Sequence, residues 1–410
     1  MRALIRGGGG RDLRADFFRG LALWFIFIDH VPGNLLGELT LRNIALCDAT
    51  EAFVLLAGYA AGLAYGASLD RKGWTFAAAG LVRRVGTLYV AHIFLLVVFT
   101  AQVGFSAAAL DSNAYLDELH LDIFGEQPYR ALLEALLLRF QPAFLDILPL
   151  YIVILLLLVP ALPLLRRPGL LLALSGACYL VVRFFELNLP SWNGGGWFFN
   201  PMAWQLLFFI GCTLGYTPRR GAVRAAAPAV PLNPALALAA VLVLLLGVAA
   251  LTVAWHRPEL LALVPERLAV LLTTIDKTSL HPFRLLSILA LAYLLGHAVA
   301  ADAAWLRSPP AAPFVLMGQH GLPVFCAGIF LSFLGRLALE VEDGWAMQLA
   351  VNLAGLAAMV GIAVVGAWYR REAAAGPKPN ATLAAAPAGP RAGAATESLP
   401  VPAVSPRTQA

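Results

Sequence analysis

The sequence predicts an all-α, polytopic membrane protein with about ten transmembrane helices and with both termini in the cytoplasm. Of its 410 residues, 60% are hydrophobic and only 13% are charged, which lies outside the usual composition of soluble domains. Apolar runs of about 20 residues recur along the chain, and this length crosses a hydrocarbon core of about 30 Å. Most of the Lys and Arg residues fall in alternate connections, as the positive-inside rule requires.

Each predicted span is an apolar run bounded by polar, Gly-rich or Pro-rich segments. An even number of spans places the two termini on the same side, and the basic connections make that side cytoplasmic. The N-terminal basic segment resembles a signal peptide, but charges inside the following apolar run lead us to expect an uncleaved first span. The ten predicted spans are 17–36, 48–66, 80–104, 143–165, 169–185, 201–217, 234–255, 284–303, 314–336 and 345–369.

Composition divides the chain into a transmembrane domain, 1–370, and a cytoplasmic tail, 371–410. The tail is rich in Ala and Pro and has no hydrophobic periodicity, so we expect it to be disordered. The longest connection, 105–142, carries more acidic than basic residues and is predicted to be extracytoplasmic. The Lys and Arg residues form no basic stripe interleaved with aromatic residues, so the expected partner is the lipid bilayer and not nucleic acid.

The first span carries charged and titratable residues where a membrane helix should be apolar, namely Arg19, Asp29 and His30. Such residues are costly in lipid and usually mark a functional site. Eleven helical steps return His30 to within about 20° of the face of Arg19, about 16 Å further along the axis. An imidazole exchanges protons near neutral pH and is the commonest general base, although a histidine that hydrogen-bonds a neighbouring helix would fit the same pattern.

Further polar residues flank the neighbouring spans. Asp48 and Glu51 share one helical face, and they either orient the imidazole or complement a helix N-terminus. Arg83 and Arg84 are either positive-inside anchors or, together with Arg19, ligands for phosphate groups. Later spans contribute polar side chains for which packing or an interfacial position is the simpler interpretation: Asp146, Arg183, Trp204, Gln205, Lys277, Arg284, His297, Gln319 and His320.

The four cysteines, Cys47, Cys178, Cys212 and Cys326, are scattered through or beside apolar runs. The chain has no C-x-x-C pair and no clustered His and Cys ligands in its sequence, so we expect neither a metal site nor a bound cofactor.

Several long motifs resemble those of the OpgC family, membrane proteins linked to the succinylation of osmoregulated periplasmic glucans. The motifs lie at 11–34, 48–59, 200–205, 277–286 and 318–325, and the resemblance covers essentially residues 10 to 370. This family is similar in turn to the wider transmembrane acyltransferases, whose first helix carries an arginine and a histidine with ten residues between them. Here that pair is Arg19 and His30. The chain departs from the wider pattern at Ala57 and Gly321, where serine is common.

The resemblance implies transfer of an acyl group from cytoplasmic acyl-CoA to a hydroxyl of a periplasmic glucan or other glycan, in the inner membrane of a bacterium. The family name implies succinyl-CoA as the co-substrate. We expect His30 to act as general base with Asp29 and Glu51 beside it, and an acyl-histidine intermediate is a variant of this scheme. The expected CoA ligands are Arg19, Arg83 and Arg84, and the expected residues for acceptor contacts or structural support are Asp16, Asp48, Trp204, Gln205 and His320.

Two alternatives come from other functional classes. A transporter or flippase of a glycan or acyl compound would use His30, Asp29 and Glu51 as a proton relay. A membrane scaffold for glucan assembly would tolerate the loss of His30.

Overall fold

The computed structural model describes residues 12–111, 114–121, 123–216, 230–301 and 303–375. Helices make up nearly all the regular structure of these residues, which contain no β-strand. The α-helices in chain order are α1 Leu13–Asp29, α2 Leu41–Ile44, α3 Ala49–Ala109, α4 Ala114–Glu118, α5 Ile123–Glu126, α6 Pro128–Leu136, α7 Ile147–Ala161, α8 Pro168–Phe184, α9 Pro201–Gly215, α10 Pro234–Leu251, α11 Glu266–Thr273, α12 Pro282–Ala298, α13 Ala312–Gln319, α14 Gly321–Val341 and α15 Trp345–Ala375.

Five helical segments in the described ranges are long and apolar enough to cross a membrane: Ala49–Ala109, Ile147–Arg166, Pro234–His256, Gly321–Val341 and Trp345–Ala373. Three shorter helices, Pro168–Phe184, Pro201–Gly215 and Pro282–Ala298, are also apolar. The all-helical, membrane-type architecture is therefore confirmed, whereas the number of ten spans and the side of the termini stay predictions. The predicted tail lies outside the described residues from position 376 onward.

Helix α1 ends earlier than the predicted first span. It begins at the N-cap Asp12, whose carboxylate accepts from the backbone N–H groups of Arg14 and Ala15. It stops at Asp29, and His30 is its C-cap. Pro32 disfavours helical backbone at the preceding residue, and Gly33 takes the left-handed conformation with φ +76°. The expectation of a helix through residue 36 was therefore wrong, and the imidazole lies at a helix end.

The predicted second and third spans form one element, α3, that is interrupted by a kink at Gly73. This glycine has φ 81° and ψ 176°, which is not helical. We call residues 49–72 the first arm of α3 and residues 74–109 its second arm. At the end of the first arm, Asp70 accepts from Arg166 at 3.3 Å and from Tyr216 at 3.1 Å, which joins it to the segments that follow α7 and α9.

Glycines let two helix pairs approach closely. Gly58 and Gly62 on the first arm of α3 face Gly211 and Gly215 on α9, and a Cβ at any of these four positions would overlap backbone atoms of the opposite helix. Helix α1 meets α13 in the same way, because a Cβ at Gly20 would overlap the backbone of Phe314. Small residues spaced four apart are the usual device for close helix packing in membranes.

The predicted outer loop, 105–142, is partly helical. Helix α3 continues to Ala109, and α4, α5 and α6 follow it. Some of the acidic residues are paired: Glu118 accepts from Arg336 of α14 at 2.6 Å, and Glu134 forms an ion pair with Arg139 at 3.2 Å. The ring of Tyr115 also packs edge-on against Phe333 of α14. The predicted ninth span is likewise interrupted, because α13 ends and α14 begins on either side of His320.

Candidate active site

His30 lies where α1 ends. Its backbone N–H donates to the carbonyl of Ile26 at 3.1 Å, which closes the last helical turn. The ring is half-buried and faces the ring of Phe144, with 4.5 Å between centroids. Its Nδ1 atom is buried and has no hydrogen-bond partner among the described residues. An unpaired polar atom in such a place costs free energy, and the fully buried His92 of α3 carries the same cost at both ring nitrogens.

Asp29 serves the turn that follows α1. Its Oδ1 accepts from the hydroxyl of Thr40 at 2.6 Å, and its backbone carbonyl accepts from Arg42 at 3.4 Å. These contacts fix the segment between α1 and α3, and they direct the carboxylate toward Thr40. Asp29 therefore stays a predicted catalytic residue whose visible partners belong to this turn.

Asp48 and Glu51 form a capping box at the start of α3. The Asp48 carboxylate accepts from the N–H of Thr50 at 2.7 Å, and Glu51 accepts from the N–H of Asp48 at 2.9 Å. Two otherwise unpaired N–H groups are satisfied in this way. The sequence left open whether these acids complement a helix N-terminus or serve a site, and the geometry shows that they do complement the helix.

Two cations join these acids. Arg284, in the first turn of α12, donates from Nε to Glu51 Oε1 at 2.7 Å and from NH2 to Asp48 Oδ2 at 3.1 Å. Lys277 Nζ lies 2.5 Å from the same Asp48 oxygen. Glu51 is completely buried, whereas the Lys277 side chain keeps 28% of its surface exposed. Two anions and two cations thus form one charge-balanced network, in which Lys277 is the accessible member.

The loop that carries Lys277 is fixed by residues of α8 and α9. Trp204 donates its indole N–H to the carbonyls of Lys277 and Thr278, at 3.2 and 3.1 Å. Arg183 pairs with Asp276 at 3.0 Å. We expected Trp204 to contact the acceptor or to support the structure. Its side chain is fully buried, and it positions the Lys277 loop.

The charges that act on the His30 ring come from this network and from the turn after α1. They are those of Lys277, Asp48 and Arg42. The charge of Lys277 also acts on Asp29 and on Asp146, a half-buried residue just before α7. We refer to His30, Phe144, Asp48, Glu51, Lys277 and Arg284 together as the His30 cluster.

Arg19 lies further back along α1 in a second polar group. Its guanidinium donates to the carbonyl of Leu56 on α3 at 2.8 Å and lies 4.0 Å from Asp16. Asp16 is buried and accepts from the side-chain amide of Gln319 at 3.1 Å. Arg19 is therefore held between α1, α3 and α13.

The two arginines predicted to join Arg19 differ in their surroundings. The charges of Arg84 and Arg19 both act on the hydroxyl of Tyr151, a residue of α7. Arg83 is exposed, whereas Arg84 is half-buried. We refer to Asp16, Arg19, Arg84, Tyr151 and Gln319 as the Arg19 cluster, and Arg83 stays a predicted CoA ligand.

A small apolar cavity of about 10 Å³ lies between the first arm of α3 and α7. Its wall includes Ala57, Ile147 and Tyr151, and the remaining lining residues are Phe53, Val54, Leu150 and Ile154. Tyr151 belongs both to this wall and to the Arg19 cluster.

The remaining predicted site residues have structural surroundings. Gln205 accepts from the hydroxyl of Ser175 at 2.5 Å and donates to its carbonyl at 2.9 Å, which ties α9 to α8. His320 is buried at the break between α13 and α14, close to Gly366 of α15. Both stay predictions as acceptor ligands. The described residues contain no group of three or more His, Cys, Asp or Glu side chains that could hold a metal ion.

Sequence reasoning undervalued Lys277 and Arg284 and missed Phe144 and Tyr151. Arg284 and Lys277 were visible as charges near the start of an apolar run, and their pairing with Asp48 and Glu51 was the missing information. Phe144 and Tyr151 carry no signal in the sequence, because an aromatic residue at the end of an apolar run is more often simple packing.

The family model described as OpgC protein matches residues 11–371 of this chain. Comparison with curated proteins and comparison with solved structures gave no match.

Proposed function

We propose that this chain is a membrane O-acyltransferase. It belongs to the OpgC family, and membership of this family suggests an acyltransferase-type function on glucans. In this proposal it moves an acyl group, succinyl by the family name, from cytoplasmic acyl-CoA to a hydroxyl of a periplasmic glucan or other glycan. The protein acts in the inner membrane of a bacterium and needs no bound cofactor, since acyl-CoA is a co-substrate.

The observation that carries the proposal is the placing of Arg19 and His30 along one helix. Arg19 is half-buried and bonds α3 from α1, and His30 closes the helix about 16 Å away with its ring half-buried. An arginine is suited to bind phosphate groups by charge-assisted hydrogen bonds, and an imidazole is suited to proton transfer. The CoA phosphates would bind near Arg19 and Arg84, and the thioester would reach His30.

The reaction needs one base and no metal in this scheme. His30 Nε2 takes the proton of the sugar hydroxyl as the oxygen forms a bond with the thioester carbonyl carbon. The carbon–sulfur bond then breaks, and the CoA thiolate takes the proton from the imidazolium. The products are the O-acyl glycan and CoA. Lys277 supplies a positive charge near the site, where negative charge develops on the carbonyl oxygen.

The test is CoA release by purified protein in detergent, with succinyl-CoA as donor and periplasmic glucan as acceptor. Removing a general base typically costs about 10²–10⁴-fold in rate, so His30→Gln should lower glucan-dependent CoA release by this factor. The matched control is His297→Gln. His297 lies on α12, where its ring bonds the carbonyls of Tyr293 at 2.8 Å and Val230 at 3.1 Å.

The control variant should keep the wild-type rate. Equal rates for wild type and His30→Gln would remove His30 from the mechanism. If the wild-type protein releases no CoA in the presence of glucan but supports glycan counterflow in liposomes, it is a transporter and not an acyltransferase.

A further inference from the structure

Asp146 lies just before α7, and its carboxylate does not serve the helix that it precedes. It occupies the N-cap position of α7 but makes no capping hydrogen bond. A capping aspartate normally accepts from the backbone N–H two or three residues later. The residue is half-buried, and the charge that acts on it is that of Lys277. A partly shielded carboxylate that neither caps its helix nor forms an ion pair with a described residue can accept hydrogen bonds from a ligand.

The segment that carries Asp146 lies against the His30 ring. Two residues before Asp146, Phe144 packs its ring on the imidazole, with 4.5 Å between centroids. Phe144 has a φ of 73°, in the left-handed region that a bulky side chain rarely adopts. Residues held in such conformations cost free energy and cluster at functional sites, where the surrounding structure requires them. The turn at Phe144 therefore carries the chain from the imidazole directly to the free carboxylate.

Lys277 lies at the same end of the helices as His30. Helix α1 and the first arm of α3 run in opposite directions and meet where Arg19 bonds the carbonyl of Leu56. From this contact, His30 is eleven residues further along α1 and Asp48 is eight residues back along the first arm, which correspond to about 16 and 12 Å along the helix axes. Lys277 Nζ lies 2.5 Å from Asp48 Oδ2. The ammonium and the imidazole are therefore at similar levels.

The Lys277 ammonium keeps a hydrogen-bond donor for a ligand. An ammonium has three N–H donors. Asp48 takes the first, and the hydroxyl oxygen of Thr50 takes the second at 3.4 Å. The side chain is 28% exposed, so the third donor is accessible. Asp146 and Lys277 thus offer an acceptor and a donor near the His30 ring.

A sugar hydroxyl matches this pair of groups. A hydroxyl donates one hydrogen bond and accepts others, so it can bind a carboxylate and an ammonium at the same time. It is also neutral, and it therefore binds beside Asp146 without charge repulsion. The anionic phosphates of an acyl-CoA do not suit a place beside a carboxylate. Their expected ligand, Arg19, is about 16 Å away along α1.

We propose that Asp146 and Lys277 bind one hydroxyl of the acceptor glycan and thereby hold the neighbouring hydroxyl against His30. This inference rests on the proposed function and adds the acceptor contacts to it. The bound hydroxyl donates to the Asp146 carboxylate, and its oxygen accepts from Lys277 Nζ. No covalent bond changes at this hydroxyl, because the reacting hydroxyl is on the adjacent carbon. Asp146 is therefore an acceptor-binding residue that positions the glycan for the base.

Substitution of Asp146 tests these contacts, and Asp343 provides a matched control. Asp146→Asn keeps the size of the side chain and removes its charge, so it should raise the KM for glucan about tenfold or more. The KM for succinyl-CoA should stay unchanged, because the donor does not contact this residue. Asp343 is exposed before α15, at the same end of the molecule, since Gln348 bonds the carbonyl of Gly33 at 2.9 Å. Asp343→Asn should change neither KM.

A double variant tests whether Asp146 and Lys277 bind the same hydroxyl. Lys277→Gln alone should also raise the KM for glucan. If the two residues share one ligand group, the rise in the double variant should be smaller than the product of the two single rises. A rise equal to that product would place Asp146 and Lys277 on separate parts of the glycan and would overturn the shared contact.

A measurement on the wild-type protein keeps the inference testable if a variant fails to fold. A water-soluble carbodiimide with an added amine converts accessible carboxyl groups to amides, and mass spectrometry of peptides locates them. Periplasmic glucan should slow the modification of Asp146 and leave that of Asp343 unchanged.

Three results would overturn the role of Asp146: an unchanged KM for glucan in folded Asp146→Asn, an equal rise in the KM for both substrates, or modification of Asp146 that glucan does not slow. Failure of the proposed function is distinct from these results. In that case the wild-type protein transfers no acyl group, whereas protection of Asp146 by glucan can still be measured.

Discussion

At the scale of single residues, the same acids serve both helix capping and a buried charge network. Glu51 completes the capping box of α3 with one carboxylate oxygen and accepts from Arg284 with the other. A carboxylate with both oxygens bonded and no exposed surface is stabilised only while its cation is present. Glu51 stays a predicted catalytic residue, but its visible partners make it a support of the site.

Replacing Arg284 should therefore destabilise the protein strongly. Arg284→Met leaves Glu51 buried and unpaired, and breaking a buried pair in this way costs about 3–5 kcal/mol. Arg183→Met is the control, because the Arg183–Asp276 pair is part-exposed and exposed pairs contribute about 1 kcal/mol or less. Thermal unfolding in detergent measures both.

An equal fall in Tm for Arg284→Met and Arg183→Met would contradict the greater stabilisation expected from the more buried ion pair.

A separate comparison concerns the role of Glu51. Glu51→Gln keeps an oxygen that accepts a hydrogen bond, so it tests the charge alone. If Glu51→Gln keeps the wild-type Tm but loses CoA release, Glu51 takes part in the chemistry. If the variant has a lower Tm but keeps its specific activity, Glu51 supports the structure of the site.

At the scale of helices, the position of the site depends on glycine-mediated crossings. The first arm of α3 carries the capping box at its start, the Leu56 carbonyl that binds Arg19, and the wall of the cavity. Its distance from α9 is set by Gly58 and Gly62 against Gly211 and Gly215. Helix α9 positions the Lys277 loop through Trp204. Any widening of this crossing would therefore shift the first arm of α3, with Asp48 and Glu51, away from the helix that holds this loop.

A single methyl group at the crossing should be poorly tolerated. The Cβ of Gly58→Ala would overlap the carbonyl of Phe208, so we expect a loss of about 1–3 kcal/mol, typical of overpacking, or failure to fold. Gly86→Ala, on the second arm of the same helix, is the control because its Cβ would meet no atom within 4 Å.

The control should be as stable as the wild type or slightly more stable, since alanine favours a helix over glycine. Gel filtration in detergent and thermal unfolding distinguish the two variants. If Gly58→Ala were as stable and monodisperse as Gly86→Ala, the close approach of α3 and α9 would not be needed for the fold.

At the scale of the whole molecule, ionic contacts join the helix ends at two separate levels. Arg14, at the start of α1, donates to the carbonyls of Gly296 and Val299 at the end of α12, at 2.5 and 2.9 Å. At the opposite ends of these helices, Arg284 meets the acids at the start of α3, which follows the turn after α1. Which of these two levels faces the cytoplasm stays a prediction from the distribution of basic residues.

Cysteine labelling tests this sidedness directly. Asn193→Cys lies in the exposed connection between α8 and α9, and Arg71→Cys lies at the exposed end of the first arm of α3. A membrane-impermeant maleimide added to cells with a permeabilised outer membrane should label position 193 above the wild-type background. Position 71 should react only after the inner membrane is opened. The reverse pattern would invert the molecule and place Arg19 on the acceptor side.

The sequence alone determined the class of this protein and the helical spacing of Arg19 and His30. Apolar runs of membrane length and charges that are costly inside them are local properties, so they can be read without knowing which helices touch. The same holds for the spacing of Arg19 and His30, because a helix repeats its faces at a fixed angle per residue. The early end of α1 also had a local signal in Pro32 and Gly33, although its weight against the apolar run could not be judged from the sequence.

Only the tertiary structure decided which partners each residue has. Lys277 and Arg284 are more than 220 positions away from Asp48 and Glu51 in the chain, and their contacts depend on how α12 packs beside α3. The separation of Arg84 from Arg83, the ring of Phe144 against His30, and the cavity between α3 and α7 are likewise products of packing. Contacts between distant segments depend on helix crossing angles and side-chain shapes, and neither is encoded in a local pattern.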